Sequence, residues 1–552
     1  MTAVRTDGEL LDEARAWAAA DPDPADAVAV EALVADGDLA TLRDWFAAPL
    51  AFGTAGLRGP VRPGPAGMNR AVVAKAAGAL ATHLGAAARP AGPAGPAAGA
   101  VYPPPVVVVG RDARHGSAAF AAETAAVLAG AGVTVRLLPP LPTPVLAFTT
   151  RRAAAAAGVM VTASHNPAAD NGYKVYLPDA QLVPPADAAL EALMHRPPPD
   201  ARGAVPAELG PEALDAYVEA VLGCSLVGAR GLRTAYTPLH GVGGAVLLRV
   251  LREAGFPASA VVATQAEPDP DFPTVAFPNP EEPGAMDAVL ALGAATGAQL
   301  VLANDPDADR LAAAEDGRVL TGDEVGALLA DHVLAHAPAG SLVATTIVSS
   351  RLLARIAAAR GASYAETLTG FKWLVRAGSA APAGAGPLVF AYEEALGYAV
   401  APALVRDKDG ISAALLLAER AAELRAGGSS LGARLDELAV EHGLHVTAQV
   451  SVRLERLAAV GEAMARLRAA PPGVGLAADL ALPGGPLPPT DAVVLTRPDE
   501  VRVVVRPSGT EPKLKLYLEV VRAAGTDLAA QRRALRAELS AVAEEVRAVL
   551  GL

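Results

Sequence analysis

Apolar residues return along this 552-residue chain with two different periods. Over residues 8–20 and 25–47, Leu, Val and Trp recur at helical spacing among acidic side chains, which predicts two amphipathic helices. From residue 106 the pattern changes to short apolar runs separated by helical stretches. Residues 106–109 and 133–137 read as buried strands, 117–129 and a stretch opened by Pro142-Thr143-Pro144 as helices, and the small and apolar run from 153 to 160 as the next strand. Such a βαβ rhythm implies a mostly parallel sheet covered by helices.

The rhythm returns twice. Candidate strands at 232–236, 261–264 and 299–303 form one unit, and those at 342–347, 363–367 and 387–391 form another. The last portion differs: strands at 446–454, 492–496, 501–505 and 513–520 are closed by an Arg- and Glu-rich helix over 527–550. Near the start, 71–85 reads as a helix and the Ala-Gly-Pro stretch 86–105 as a long flexible insert. The expected fold class is α/β, with three successive mixed α/β domains plus a C-terminal α+β domain around a central cleft. The expected divisions are 1–205, including the N-terminal helices, then 206–322, 323–440 and 441–552.

Composition narrows the chemistry. Hydrophobic residues are 52% of the chain but aromatics only 4%, so cores of Ala, Val and Leu with close helix-sheet approach are expected. A formal charge of -13 argues against nucleic acid as a partner, and any anionic ligand needs a local basic site. The single cysteine, Cys224, excludes an internal disulfide and reads as a small buried residue. Residues 1–10 lack the apolar core of a signal peptide, and the charge-poor stretches 92–110 and 137–150 are broken by Pro, so a cytoplasmic protein with no membrane partner is expected. Oligomeric state is not legible in the chain.

Polar motifs follow several of these strands. Val161-Thr162-Ala163-Ser164-His165-Asn166-Pro167 puts a hydroxyl at a strand's carboxyl end, where open α/β sheets bind ligands. Asp305, Asp307 and Asp309 alternate after a buried strand, so their carboxylates can converge on a hard divalent cation. An EF-hand is excluded, because Arg310 stands where its glycine belongs; Mg2+ shared with a phosphate is the better fit. Phe52 to Gly59 is a glycine-rich loop carrying Arg58. Thr369-Gly370-Phe371-Lys372-Trp373 and Tyr392 to Tyr398, with Glu394, suit a polyol, although an ion pair between Lys372 and a Glu accounts equally for the lysine. Arg506-Pro507-Ser508-Gly509-Thr510 can wrap a phosphate dianion. Gly241 to Gly244 lacks the third glycine of a dinucleotide loop and instead permits close packing at a helix start.

Together the Ser164, Asp305–Arg310, Glu394 and Arg506 motifs resemble, in order, those of the α-D-phosphohexomutase family, the phosphoglucomutases and phosphomannomutases. Asn171-Gly172-Tyr173-Lys174-Val175-Tyr176, Thr369 to Trp373 and Asp407-Lys408-Asp409-Gly410 look most like the branch containing phosphoglucomutase-2 and phosphopentomutase-type enzymes. The chain departs from many members at Leu396 and Tyr398, where they carry Ser and His, and at Pro306 and Ala308, where they carry glycines.

The resemblance implies a phosphosugar mutase that interconverts hexose 1-phosphate and hexose 6-phosphate, with glucose preferred to mannose or pentose. Ser164 would carry a phosphoryl group and, with Asp305, Asp307 and Asp309, hold Mg2+. Arg58 and Arg310 would add positive charge, His165 would orient the phosphoserine, and Lys174 would assist proton transfer. Thr369, Gly370, Lys372, Glu394 and Leu396 would face the sugar, and Arg506, Ser508, Gly509 and Thr510 its phosphate. A sugar bisphosphate such as glucose 1,6-bisphosphate would be the activator. A silent sugar-phosphate sensor and a phosphatase are the alternatives.

Overall fold

A computed structural model describes residues 5–53, 56–87, 103–178, 180–473, 475–485, 487–508 and 513–552. Four sheets follow one another along the chain. In the first, Val106–Arg111 lies between Thr134–Pro140 and Ala157–Val161, all parallel, and Asp170–Tyr176 and Leu57–Pro60 extend the sheet antiparallel beyond Ala157–Val161. The second repeats the scheme, with Thr234–Thr237 parallel to Ala260–Val261 and Leu300–Ala303, and antiparallel Ala312–Glu315 outside. The third centres on Leu342–Thr346, parallel to Ser363–Thr367 and Leu388–Glu393. The fourth is wholly antiparallel, in the order Leu444–Arg453, Lys513–Arg522, Val501–Pro507, Val493–Thr496, Leu476–Asp479, with the helix Leu528–Leu550 packed on it. These mixed α/β sheets and the C-terminal α+β unit are the expected fold class.

One apolar core runs through the first three units, from Val108 through Leu247 and Leu328 to Leu438, which fixes their sheets relative to one another. The fourth unit has its own core and meets the third through a smaller cluster of Ile347, Val348, Leu368, Val504 and Tyr517. The strand ends of separate sheets thereby converge.

Several local expectations need correction. The helical pattern over 25–47 is two helices, Pro24–Asp36 and Leu39–Trp45. Gly37 ends the first at a φ of 65°, and Asp38 caps the second by accepting from the Thr41 amide at 3.1 Å. The run 261–264 is only the strand Ala260–Val261 followed by a short 3-10 turn. Asp170–Tyr176 and Leu57–Pro60, which carry Lys174 and Arg58, are strands that the pattern did not predict. Cys224 is half-buried rather than fully buried, and the burial it has, with Asp409 and Glu419 nearby, pushes its thiol up to about 12. Most of the insert 86–105 lies outside the described residues. Among the described residues no helix is long and apolar enough to cross a membrane.

Candidate active site

Ser164 leaves the first sheet just past the end of Ala157–Val161, in the left-handed region at φ 53°. Two features hold it in that uncommon conformation. Its amide donates to Thr162 Oγ1 at 2.8 Å. The buried guanidinium of Arg114 donates to four carbonyls of the same turn: Ser164 and Asn166 at 2.6 Å, Pro167 at 2.7 Å and Asp170 at 3.1 Å. The Ser164 hydroxyl, 2% of whose residue surface is exposed, donates to Asp305 Oδ2 at 2.8 Å and lies 3.2 Å from His165 Nδ1. Burial, with Arg310 and Arg58 nearby, holds the imidazole of His165 well below its usual range and hence neutral.

Asp305 belongs to the loop after Leu300–Ala303. Asn304 closes this loop by donating to the Arg310 carbonyl at 2.6 Å, and is itself fixed by the Tyr236 hydroxyl at 2.9 Å. Gly241 and Gly243 let the next loop lie against it: a Cβ on Gly243 would sit 2.6 Å from that of Ala308, and one on Gly241 would collide with the backbone of Pro306. This accounts for the glycines at a helix start, and it explains how Pro306 and Ala308 are accommodated, the latter at φ 52°.

One oxygen from each of Asp305, Asp307 and Asp309 lies within 4.8 Å of the others, and all three residues are buried. Lys174 Nζ reaches Asp307 at 2.7 Å and Asp309 at 2.9 Å, Lys408 Nζ reaches Asp309 at 3.2 Å, and Thr143 Oγ1 donates to Asp307 at 2.7 Å. Asp307 Oδ1 and Asp309 Oδ1 are buried and have no hydrogen-bond partner among the described residues. Hard oxygen donors left over in a converging triad fit a divalent cation. Burial and the two neighbouring carboxylates push Asp305 far above the usual range. At Asp309, burial acts in the same direction but Lys174 and Lys408 outweigh it, so its pKa falls. For Lys174, burial opposes the charge and Asp307 and Asp309 overcome it, leaving an ammonium.

The second and third units touch here. Arg310 forms a backbone bridge to Gly397, and its side chain pairs with Glu281 at 3.1 Å. Arg58 donates to Asn166 Oδ1 at 3.2 Å, and burial lowers its pKa against the pull of Asp307. Glu394 accepts from Ser349 at 2.9 Å and Thr346 at 3.2 Å. Burial pushes Glu393 up to about 7 despite Lys408 and Arg310. Leu396 is buried with Ala303, Ala312 and Val301, so its side chain packs the second unit's core, and Tyr398 is fully buried. Lys372, on Phe371–Leu374 after Thr369 and Gly370, has no carboxylate within ion-pair distance among the described residues, and burial lowers its pKa. Arg506 stands near the end of the strand Val501–Pro507 opposite Lys515, and the Ser508 amide donates to the Lys513 carbonyl at 2.8 Å. Gly509 and Thr510 lie outside the described residues.

Reading motifs one by one missed Arg114, Thr143 and Lys408. Arg114 stood in the Gly110 to Ser117 loop and Lys408 in Asp407 to Gly410, each beside turn-forming residues. Lys408 is tied to the first unit through Asp407, which accepts from the Tyr176 hydroxyl at 2.6 Å and from Gln181 at 2.5 Å.

Comparison with known proteins agrees with this arrangement. Profiles described as phosphoglucomutase/phosphomannomutase alpha/beta/alpha domains I, II and III match residues 49–198, 215–318 and 321–441, and the C-terminal domain profile matches 450–535. The chain is 40% identical over 473 residues to a probable phosphomannomutase of Haemophilus influenzae, covering 82% of this chain and 93% of that one. It is 34% identical over 478 residues to human phosphopentomutase, covering 80% and 76%, and 31% identical over 516 residues to a Staphylococcus aureus phosphoglucomutase, covering 87% and 91%. A solved putative phosphomannomutase from Thermus thermophilus superposes with a TM-score of 0.69 at 26% identity, over 90% of this chain and 99% of that one. The chain therefore belongs to the phosphoglucomutase/phosphomannomutase family of α-D-phosphohexomutases and is an isomerase of the intramolecular phosphotransferase type.

Proposed function

We propose that the protein interconverts hexose 1-phosphate and hexose 6-phosphate, glucose first among them, through a phosphoserine at Ser164. The observation that carries this reading is the Ser164 hydroxyl hydrogen-bonded to Asp305 at the mouth of the carboxylate triad. A hydroxyl is a weak nucleophile, whereas a phosphorylated Ser164 already holds the group to be moved. Asp305, Asp307, Asp309 and the Ser164 oxygen would hold Mg2+, which would offset charge on the phosphoryl group in transfer.

Arg506 and Ser508, with Gly509 and Thr510, bind the phosphate that the sugar already carries, and Glu394, Lys372, Thr369 and Gly370 orient its hydroxyls. The free hydroxyl attacks phosphorus as the bond to Ser164 Oγ breaks, giving a bisphosphorylated sugar. Lys174, held as an ammonium, donates a proton to the Ser164 oxygen that the phosphoryl group leaves and, as the amine so formed, takes the proton that the attacking sugar hydroxyl gives up; the return transfer from the turned-around bisphosphate runs the same relay in reverse. Arg58 and Arg310 add positive charge beside the transferred group, and neutral His165 holds the Ser164 oxygen. A sugar bisphosphate such as glucose 1,6-bisphosphate charges Ser164 at the start. Pentose phosphates are the second reading, favoured by the burial of Leu396 and Tyr398 in place of polar sugar-loop groups.

The test compares kcat/KM for the 1-phosphates of glucose, mannose, ribose and deoxyribose. The highest value is expected with glucose. A pentose preference would overturn the hexose assignment, and release of inorganic phosphate as the main product would overturn the mutase reading.

A further inference from the structure

The residues between the short turn Ala263–Gln265 and the helix Asp287–Thr296 form a long loop that enters none of the roles above. It is firmly anchored at its first half. Phe272 is 3% exposed, its ring 4.8 Å from the Arg114 guanidinium, and Thr274 Oγ1 accepts from Gln265 at 2.8 Å and lies 2.8 Å from His240 Nε2. Asn279, also buried, turns the chain by accepting from the Glu281 amide at 3.2 Å. Past that turn the loop projects Glu281, whose carboxylate has a single recorded partner among the described residues, Arg310 Nη1 at 3.1 Å.

The two members of this pair are held very differently. Arg310 is fixed: its amide donates to Asp305 at 3.0 Å, its carbonyl accepts from Asn304, its side chain is 12% exposed, and its Nε is buried with no partner among the described residues. Glu281 is 37% exposed and held by that one contact. Its charge is also felt at Glu394 and Lys515, so the carboxylate lies where the second, third and fourth units meet. A guanidinium accepts a carboxylate oxygen and a phosphate oxygen in the same fork, and a phosphate dianion brings the greater charge.

We propose that Glu281 is an internal competitor for the phosphosugar, its carboxylate seated on Arg310 where a phosphoryl oxygen binds, so that it sets substrate affinity by the ease with which it leaves. The inference rests on the mutase reading for the identity of the substrate, and on geometry alone for the exchange. Glu281 acts through Arg310 and is a positioning residue; it need not touch the reacting atoms.

Inorganic phosphate is the probe, titrated calorimetrically into the wild-type protein, Glu281→Gln and Glu282→Gln. Removing a partly exposed carboxylate partner raises phosphate affinity about two- to fivefold in Glu281→Gln. KM for glucose 1-phosphate falls in the same direction. Glu282→Gln, which removes the same charge one residue along the exposed loop, leaves phosphate affinity as in wild type. In an Arg310→Gln background the gain from Glu281→Gln disappears. Unchanged or weaker phosphate binding in Glu281→Gln would overturn the proposal, and so would an equal gain in Glu282→Gln. If the wild type fails to turn over glucose 1-phosphate, the hexose reading falls, while the phosphate titration still decides the role of Glu281.

Discussion

Two buried acidic centres in this protein are built to opposite specifications. Asp331, 1% exposed in the third unit, receives Arg434 at 2.9 and 3.1 Å, Arg360 at 2.8 Å and Arg420 at 2.9 Å, so both of its oxygens are used. Burial would raise its pKa, but the hydrogen bonds from Arg434 and Arg360 outweigh it and the carboxyl sits below its usual range. The triad of Asp305, Asp307 and Asp309 crowds three carboxylates together, leaves Asp307 Oδ1 and Asp309 Oδ1 without partners among the described residues, and drives Asp305 upward. A satisfied cluster ties elements together; an unsatisfied one costs stability and persists where a ligand completes it.

The largest expected effect separates the two. Asp307→Ala removes a triad oxygen and a partner of Lys174, and kcat with glucose 1-phosphate should fall by about 10²–10³-fold. The thermal midpoint, measured with chelator present, should fall less than in Asp331→Ala, because Asp309 still pairs with Lys174 and one like charge has left a crowded site. A Tm loss with activity retained would place the triad with the structural carboxylates.

Asp331→Ala should do the reverse. It leaves three arginines around an empty position, and removing one partner of a buried ion network costs about 3 kcal/mol. Urea unfolding should shift accordingly, while kcat/KM per folded molecule stays at the wild-type value. A fall in kcat/KM without loss of stability would break the contrast.

Sequence alone reached the two ends of this comparison unequally. Ser164 and the three aspartates were legible because each motif is local, a strand followed at once by its polar turn. Gly37 and Asp38, a helix stop and a cap, were not read as such, because the apolar spacing runs on through them over 25–47. Arg114 could not be read as the holder of the Ser164 turn, because its four carbonyl partners lie 50 or more residues away. The ion pairs of Lys174 with Asp307 and Asp309 depend on how two sheets pack, and so does the burial of Leu396 in the second unit's core. The role of Asp331, in the largely apolar later turns of Gly322–Leu334, could not be read, because its arginines arrive from two other helices and the end of a third.

Phosphopeptide mapping of the protein after incubation with glucose 1,6-bisphosphate tests the central assignment most directly. A single phosphate on the peptide containing Ser164, absent from Ser164→Ala, is the expected result. Turnover with the phosphate on another residue, or turnover retained in Ser164→Ala, would contradict a transfer that runs through Ser164.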